Sequence, residues 1–237
     1  MTSPKFLLSS YLLGLIIGLS VVFVATWADM ESAFYGFPRL ASAGLGGFHC
    51  PILMTRNDTN TISLTVSNPT DSKISPSVKT MISTPLVAEE YLDNIELAPG
   101  ESKKLEWTIG PGNIDLGQFI FAKALVYSAY PLPSLEDSCG VFIVNLPGNG
   151  KVIVPFVLII SLLGMGWGLY GINKVGVKNE WVMQNVRSFA FVGIVVALGI
   201  LTSITSGWVP SILLLAVALL MVFILLGSFI MNERRKE

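Results

Sequence analysis

His49, Cys50 and Cys139 are the only histidine and the only cysteines in this 237-residue chain. Imidazole and thiolate groups are the usual ligands of transition metals, but a site needs three or four of them, commonly several His or Cys together. If Cys50 is oxidised, no such set remains, so His49 is read as a structural or exposed residue. Carboxylates come next. Glu89, Glu90, Asp93 and Glu96 crowd one stretch, and Glu136 and Asp137 lie just before Cys139. Paired carboxylates in a cleft can do acid–base work, and oxygen ligands suit calcium. Here they fall in loops or on strand faces expected to be exposed, without a nucleophile–base pair. Solvated surface is the reading taken, with a divalent-cation contact as the alternative. Asn57-Asp58-Thr59 fits a glycosylation sequon, a pattern common by chance. No glycine-rich phosphate loop follows a strand. No catalytic residue, metal ligand or cofactor is expected, and the chain is read as a non-enzyme.

The elements that would carry these residues are of two kinds. Hydrophobic residues make up 52% of the chain and charged ones 13%, against about 25% charged in a typical soluble domain. The net charge of −1 hides a split. Residues 29–150 hold 13 acidic and 7 basic residues, while the rest hold 3 acidic and 8 basic. An acidic insert flanked by basic membrane-edge segments is expected of a membrane protein with a translocated domain. Nothing forms a basic patch for nucleic acid.

Residues 1–5 are read as a cytoplasmic N-terminus and 6–28 as the first transmembrane helix. The run from 6 to 26 carries no charge and is long enough to cross about 30 Å of hydrocarbon. A cleaved signal peptide is the rival reading, but its apolar core would be about 7–15 residues. Residues 29–49 form a connector rich in aromatics and glycine. Phe34, Tyr35, Phe37 and Phe48 either pack against the domain or form a partner or lipid surface. Further helices are expected at 151–172, 188–205 and 211–231, separated by a cytoplasmic loop at 173–187 and an outer turn at 206–210, with a cytoplasmic tail at 232–237. Gly164, Gly168 and Gly171 share one helical face and suit close helix packing, although glycine is enriched in membrane helices generally. Trp27, Trp181 and Trp208 stand where interfacial anchors belong. The spans carry no ionisable residue in their cores, unlike most ion pathways. Ser161, Thr202, Ser203 and Thr205 are expected to bond their own helices. Lys5, the Lys174/Lys178/Arg187 loop and the Arg234/Arg235/Lys236 tail all fall on one side, which places both termini inside and residues 29–150 outside a plasma membrane.

From residue 50 to 150 the period changes to two. Ile62, Leu64 and Val66 alternate with polar residues, as do Leu105, Trp107 and Ile109. Asn68-Pro69-Thr70-Asp71-Ser72 and Ala98-Pro99-Gly100-Glu101 supply turn chemistry. Pro76 interrupts a strand region at 74–83, which is therefore expected at an edge or bulge. About seven short strands without helical periodicity predict a β-sandwich of immunoglobulin-like architecture. In an oxidising compartment Cys50 and Cys139 are expected to form one disulfide, with two free buried thiols as the alternative.

The run from Leu64 to Thr70, the Leu97-Ala98-Pro99-Gly100-Glu101-Ser102 turn and Trp107 resemble the immunoglobulin-like CARDB and NEW3 modules of bacterial and archaeal surface proteins. The resemblance covers roughly 90 residues, the span of the predicted strands. It implies a spacer or binding platform and carries over no catalytic residue. The functional expectation is an accessory, scaffold or binding subunit in contact with membrane lipids and with other membrane subunits or its own copies. The alternative is a ligand-sensing or transport-associated receptor subunit whose sandwich is the binding module.

Overall fold

The computed structural model describes residues 4–127, 129–175, 180–205 and 208–234. The chain divides into two compact units: Trp27–Val152, and Met1–Thr26 with Ile153–Glu237.

Among the described residues, the first unit contains nine strands: β1 (Ser42–Ala43), β2 (Phe48–His49), β3 (Leu53–Thr55), β4 (Asn60–Ser67), β5 (Ser77–Ile82), β6 (Glu89–Asn94), β7 (Ser102–Ile109), β8 (Phe119–Tyr127) and β9 (Leu135–Val144). They form a six-stranded sheet in the order β1-β9-β8-β5-β6, with β3 also on β9, and a three-stranded sheet in the order β2-β4-β7. The first three strands are too short to show a period in sequence. β1 and β3 share the same edge of β9, each in parallel pairing.

Alternation builds the core between the sheets. Ile62, Leu64 and Val66 of β4 and Trp107 and Ile109 of β7 face inward from the small sheet. Val78, Ile82, Ile120, Ala122 and Val141 meet them from the large one. Each large apolar side chain so buried stabilises the fold by about 1.5–3 kcal/mol. The turns follow their chemistry. Gly100 takes φ +72° and the Glu101 amide donates to the Ala98 carbonyl, as glycine at the third position of a type II turn allows. Asn68 is buried. Its side-chain amide donates to the carbonyls of Ser72, Leu97 and Ala98, and its Oδ1 accepts from the Thr70 amide.

Two strands depart from expectation. β5 is internal, paired with both β6 and β8, rather than an edge. It begins at Ser77, so Pro76 precedes the ladder and its missing N–H is never needed. β8 shows no alternation, because eight of its nine residues are buried. Ile120, Ala122, Ala124 and Val126 enter the core between the sheets, while Phe119, Phe121 and Lys123 are buried on the other face.

Among the described residues, four helices are long and apolar enough to cross a membrane: α1 (Pro4–Phe34), α2 (Gly150–Val175), α4 (Val186–Thr205) and α5 (Trp208–Arg234). A short α3 (Glu180–Gln184) precedes α4. The helices outrun the apolar stretches on which their expected limits rest. α1 continues to Phe34 rather than ending at residue 28. The polar residues of its last turns find partners on the sandwich: the Gly140 amide donates to Asp29, and Ser32 donates to the Cys139 carbonyl at 2.8 Å. α2 reaches Val175, α5 starts at Trp208 inside the expected turn, and it runs to Arg234. Ser206, Gly207, Lys178, Arg235 and Lys236 lie outside the described residues.

In the helical unit Leu7, Tyr11, Leu15, Met165, Val192 and Val196 belong to one buried cluster. Tyr11 is fully buried and donates to the Phe189 carbonyl at 2.6 Å. Thr202, Ser203 and Thr205 bond their own helix. Ser161 differs from expectation: it donates across to the Gly14 carbonyl on α1 at 2.8 Å. The three glycines turn toward α1. A Cβ at Gly164 would lie 3.0 Å from the Ser10 oxygen, one at Gly168 2.7 Å from the Leu7 oxygen and the Tyr11 nitrogen, and one at Gly171 2.4 Å from a Leu7 methyl. Backbone cannot yield as a side chain can. Gly168→Leu is therefore expected to cost about 1–3 kcal/mol by overpacking, read as a lower thermal midpoint in mild detergent. Gly166→Leu is the control, because nothing lies within 4 Å of its Cβ position. An equal midpoint for both variants would remove this account of α1–α2 packing.

Candidate functional site

The outer face of β8 and β9 is where the connector is fixed. Lys123 projects from β8 opposite to the core residues Ala122 and Ala124. Its ammonium donates to Glu136 of β9 at 2.7 Å and to the Pro38 carbonyl at 2.8 Å. The second Glu136 oxygen accepts the amides of Leu40 at 2.8 Å and Ala41 at 3.1 Å. Both side chains are 7% exposed. Burial alone would push the Glu136 carboxyl up. The Lys123 ammonium and the two amides more than offset this and hold it below the ordinary glutamate range. The expectation that Glu136 lies on a solvated face is corrected here, because the connector covers that face. A lone lysine inside the apolar run Phe119-Ile120-Phe121-Ala122-Lys123-Ala124-Leu125-Val126 was the sequence signal for a buried, paired charge.

The aromatic residues of the connector divide. Tyr35 packs on Phe121 in a tilted arrangement at 4.4 Å between centroids and meets Phe37 edge-on at 4.7 Å. Its hydroxyl donates to Asp115, and burial together with that carboxylate pushes its pKa up to about 12. Phe48, on β2, packs against the core between the sheets. Of the four candidates for a partner or lipid surface only Phe34 is substantially exposed, at 70%. Tyr35 and Phe37 are drawn in because the outer face of the large sheet offers them aromatic partners, and Phe48 because β2 turns it toward the core between the sheets. Trp27 likewise packs edge-on against Phe119 and donates to Glu31. Trp181 packs on Phe189 and Phe229 and donates to Ser228. Trp208 opens α5, half-buried.

Cys50 and Cys139 are joined, with 6.1 Å between their α-carbons. Cys50 follows β2 of the small sheet and Cys139 lies within β9 of the large one, so the bond ties the two layers together. His49 is exposed, and no group of three potential metal ligands occurs among the described residues. The acidic cluster does not converge. Glu90 pairs with Lys79, Glu96 with Lys73, Asp93 accepts from the Trp107 indole, and Glu89 accepts from Tyr91. Asn57 is exposed. Its neighbour Asp58 accepts the amides of Gly150, at 2.6 Å, and Thr55. The Gly150 amide is the main cause that holds its carboxyl below the ordinary range, against a smaller rise from desolvation.

The sandwich also carries a recess of about 450 Å³, within the usual size range of small-ligand sites. Leu45, Val66, Ile74, Val126, Leu132 and Leu135 line it. The connector closes one side. Gly47 there takes φ +79°, and a Cβ would stand 2.8 Å from the Thr65 oxygen, so only glycine brings the chain this close. The recess can hold an apolar group; among the described residues no cluster of reactive side chains lines it.

A two-sheet sandwich joined to four apolar helices is thus the class of protein observed. No family model matches the sequence, and no curated protein matches it. Solved structures resemble parts of it. One is the CARDB domain of a Pyrococcus furiosus protein in complex with di-metal ions, at 16% identity and TM-score 0.32, covering 46% of this chain and 99% of that domain. A Paenibacillus cycloisomaltooligosaccharide glucanotransferase is 12% identical with TM-score 0.32, covering 44% of this chain. A Bacteroides uniformis β-glucuronidase is 14% identical with TM-score 0.33, covering 40% of this chain. The matched part spans only 14% and 12% of the two enzymes' lengths. Likeness this distant assigns no activity.

Proposed function

We propose that this chain is a multi-pass membrane protein of non-enzymatic, accessory character, presenting an immunoglobulin-like β-sandwich outside the cell to partner proteins. The observation that carries the reading is the outward surface of the helices. Leu13 and Ile16 on α1, Leu163 on α2, Leu201 on α4 and Phe223 and Ile224 on α5 are all more than half exposed. Soluble proteins rarely expose apolar surface on this scale, whereas lipid accepts it. Lys5, Lys174, Arg187 and Arg234 lie at or beside helix ends that the positive-inside rule assigns to the cytoplasm. The exterior then receives the disulfide-bonded unit, which suits an oxidising compartment.

Native-size analysis of the full chain in mild detergent tests the accessory role. The expected result is a co-purifying membrane subunit or a homo-oligomer. A strict monomer without a partner would sink this reading. The recess between Leu45 and Leu135 favours the second reading, a receptor subunit with the sandwich as binding module. Val66→Trp, which fills the recess, would then abolish ligand-dependent thermal stabilisation.

A further inference from the structure

We infer that the loops at one end of the sandwich form a lipid-docking surface that rests in the interfacial layer of the bilayer, with Leu86, Val87, Leu116 and Leu146 as its apolar contacts. The inference rests on the membrane reading above.

The end in question is defined within the sandwich unit itself. Trp27, where the apolar part of α1 gives way to polar residues, packs against Phe119 and Phe142, at the start of β8 and near the finish of β9. Gly150, where α2 begins, donates its amide to Asp58, which also takes the Thr55 amide at the end of β3. The chain therefore enters the sandwich and leaves it at the same end. The apolar run of α2 resumes at Val152, two residues after that anchored glycine.

Three loops meet at this end. Residues 83–88 join β5 to β6, and Ser83 exchanges hydrogen bonds with Asn113 and Phe121. Residues 110–118 join β7 to β8, and the Gly117 carbonyl accepts from Arg56. Residues 145–149 join β9 to α2, and the Gly148 carbonyl accepts from Thr55. These bonds hold the three loops beside one another and beside both helix junctions. Their apolar side chains point away from the core: Leu86 is 93% exposed, Val87 78%, Leu116 65% and Leu146 55%. Leu116 also holds φ +47°, a conformation that costs a branched side chain energy and that glycine or asparagine would adopt more readily. Water alone gives no reason for an exposed leucine there. An apolar phase beside the helix junctions does, because burying each such side chain out of water is favourable.

The test uses the full chain in vesicles of phosphatidylcholine with phosphatidylglycerol. Single spin labels are placed through Leu86→Cys, Leu116→Cys, Tyr130→Cys and Phe223→Cys, after confirming that the native cysteines stay paired. Tyr130 is 91% exposed but follows the opposite end of β8; Phe223 reports on α5. Accessibility to lipid-soluble oxygen relative to a water-soluble nickel chelate is the readout. The expected ratio is several-fold higher at 86 and 116 than at 130, and highest at 223. A lipid-like value at 223 with water-like values at 86 and 116 overturns the docking surface and leaves the membrane reading standing. A water-like value at 223 overturns both. Labels at 86 and 116 shielded from both reagents mean that protein covers this end, and overturn lipid as its occupant.

Discussion

Lys123→Met is expected to destabilise the sandwich by about 3–5 kcal/mol, because it strands Glu136 as an uncompensated buried charge. The salt bridge in place is not itself a large source of stability, since desolvation of both ions offsets much of their attraction. What is costly is half of it. Glu136 is shielded on both sides: the core lies behind β9 and the connector over it, with Leu40 and Ala41 donating to one oxygen and Lys123 to the other. Hydrogen exchange at the amides of β8 and β9 measures the effect in the full chain in detergent. A loss of this size accelerates exchange by roughly two to nearly four orders of magnitude, at about 1.4 kcal/mol per tenfold. Lys123→Met/Glu136→Gln removes the charge and keeps an oxygen for the two amides, so it should recover most of the loss. No recovery would mean that the lysine stem, not the charge balance, supports this face.

The same pair predicts a reversal in pH dependence. In the native chain the Glu136 pKa is depressed, so its contribution is complete above the ordinary glutamate value and is lost as pH falls through the depressed one. Acid below about pH 4.5 therefore weakens the native sandwich. In Lys123→Met burial is left without its main counterweight and the carboxyl moves up. The variant then gains stability relative to the native chain as pH falls from 7 toward 5. Parallel pH profiles for the two proteins would contradict the assignment.

Removing the disulfide with Cys50→Ala/Cys139→Ala is expected to cost about 2–5 kcal/mol. The two cysteines are 89 residues apart, so the bond closes a long loop and withdraws much conformational freedom from the unfolded chain. Cys139 is 9% exposed and belongs to the core between the sheets. Alanine rather than serine avoids burying a hydroxyl without a partner. The thermal midpoint of the double variant should match that of the reduced native chain. A midpoint unchanged from the oxidised protein would show that the sheets hold without it. Thiol labelling of the native chain taken directly from membranes adds an independent check, with no reaction expected before reduction.

β4 and β7 were legible in the sequence because one face of each meets the core and the other meets water, which writes a period of two into Thr61–Ser67 and Lys103–Ile109. β8 was legible as a strand but not as a strand buried on both faces. Periodicity reports on contrast between faces, and a strand covered on both has none. The helices were legible by apolar content, and their ends were not, because the last turns of α1 are held by partners on the sheet rather than by lipid or core. The connector aromatics were visible as a group, but their direction depended on Phe119, Phe121 and Phe142, about 85–105 residues downstream. Leu86, Val87, Leu116 and Leu146 drew no notice in sequence, since isolated apolar residues in loops carry no pattern.

The sequence by itself determined the local properties of this protein. Four apolar stretches are of bilayer length, a polar insert is built of strands and turns, and two cysteines bracket that insert. Hydropathy, period and turn chemistry are set by residues within a few positions of one another, so they survive without a fold. The tertiary structure alone decided which residues lie under which. It brought Lys123 to Glu136 and buried both, turned the glycines of α2 onto the backbone of α1, folded Tyr35 and Phe37 onto the large sheet, and left four loop side chains exposed at the end where the chain arrives and departs. Those outcomes depend on contacts across 13 to more than 150 residues of chain, and only the packing of whole elements specifies them.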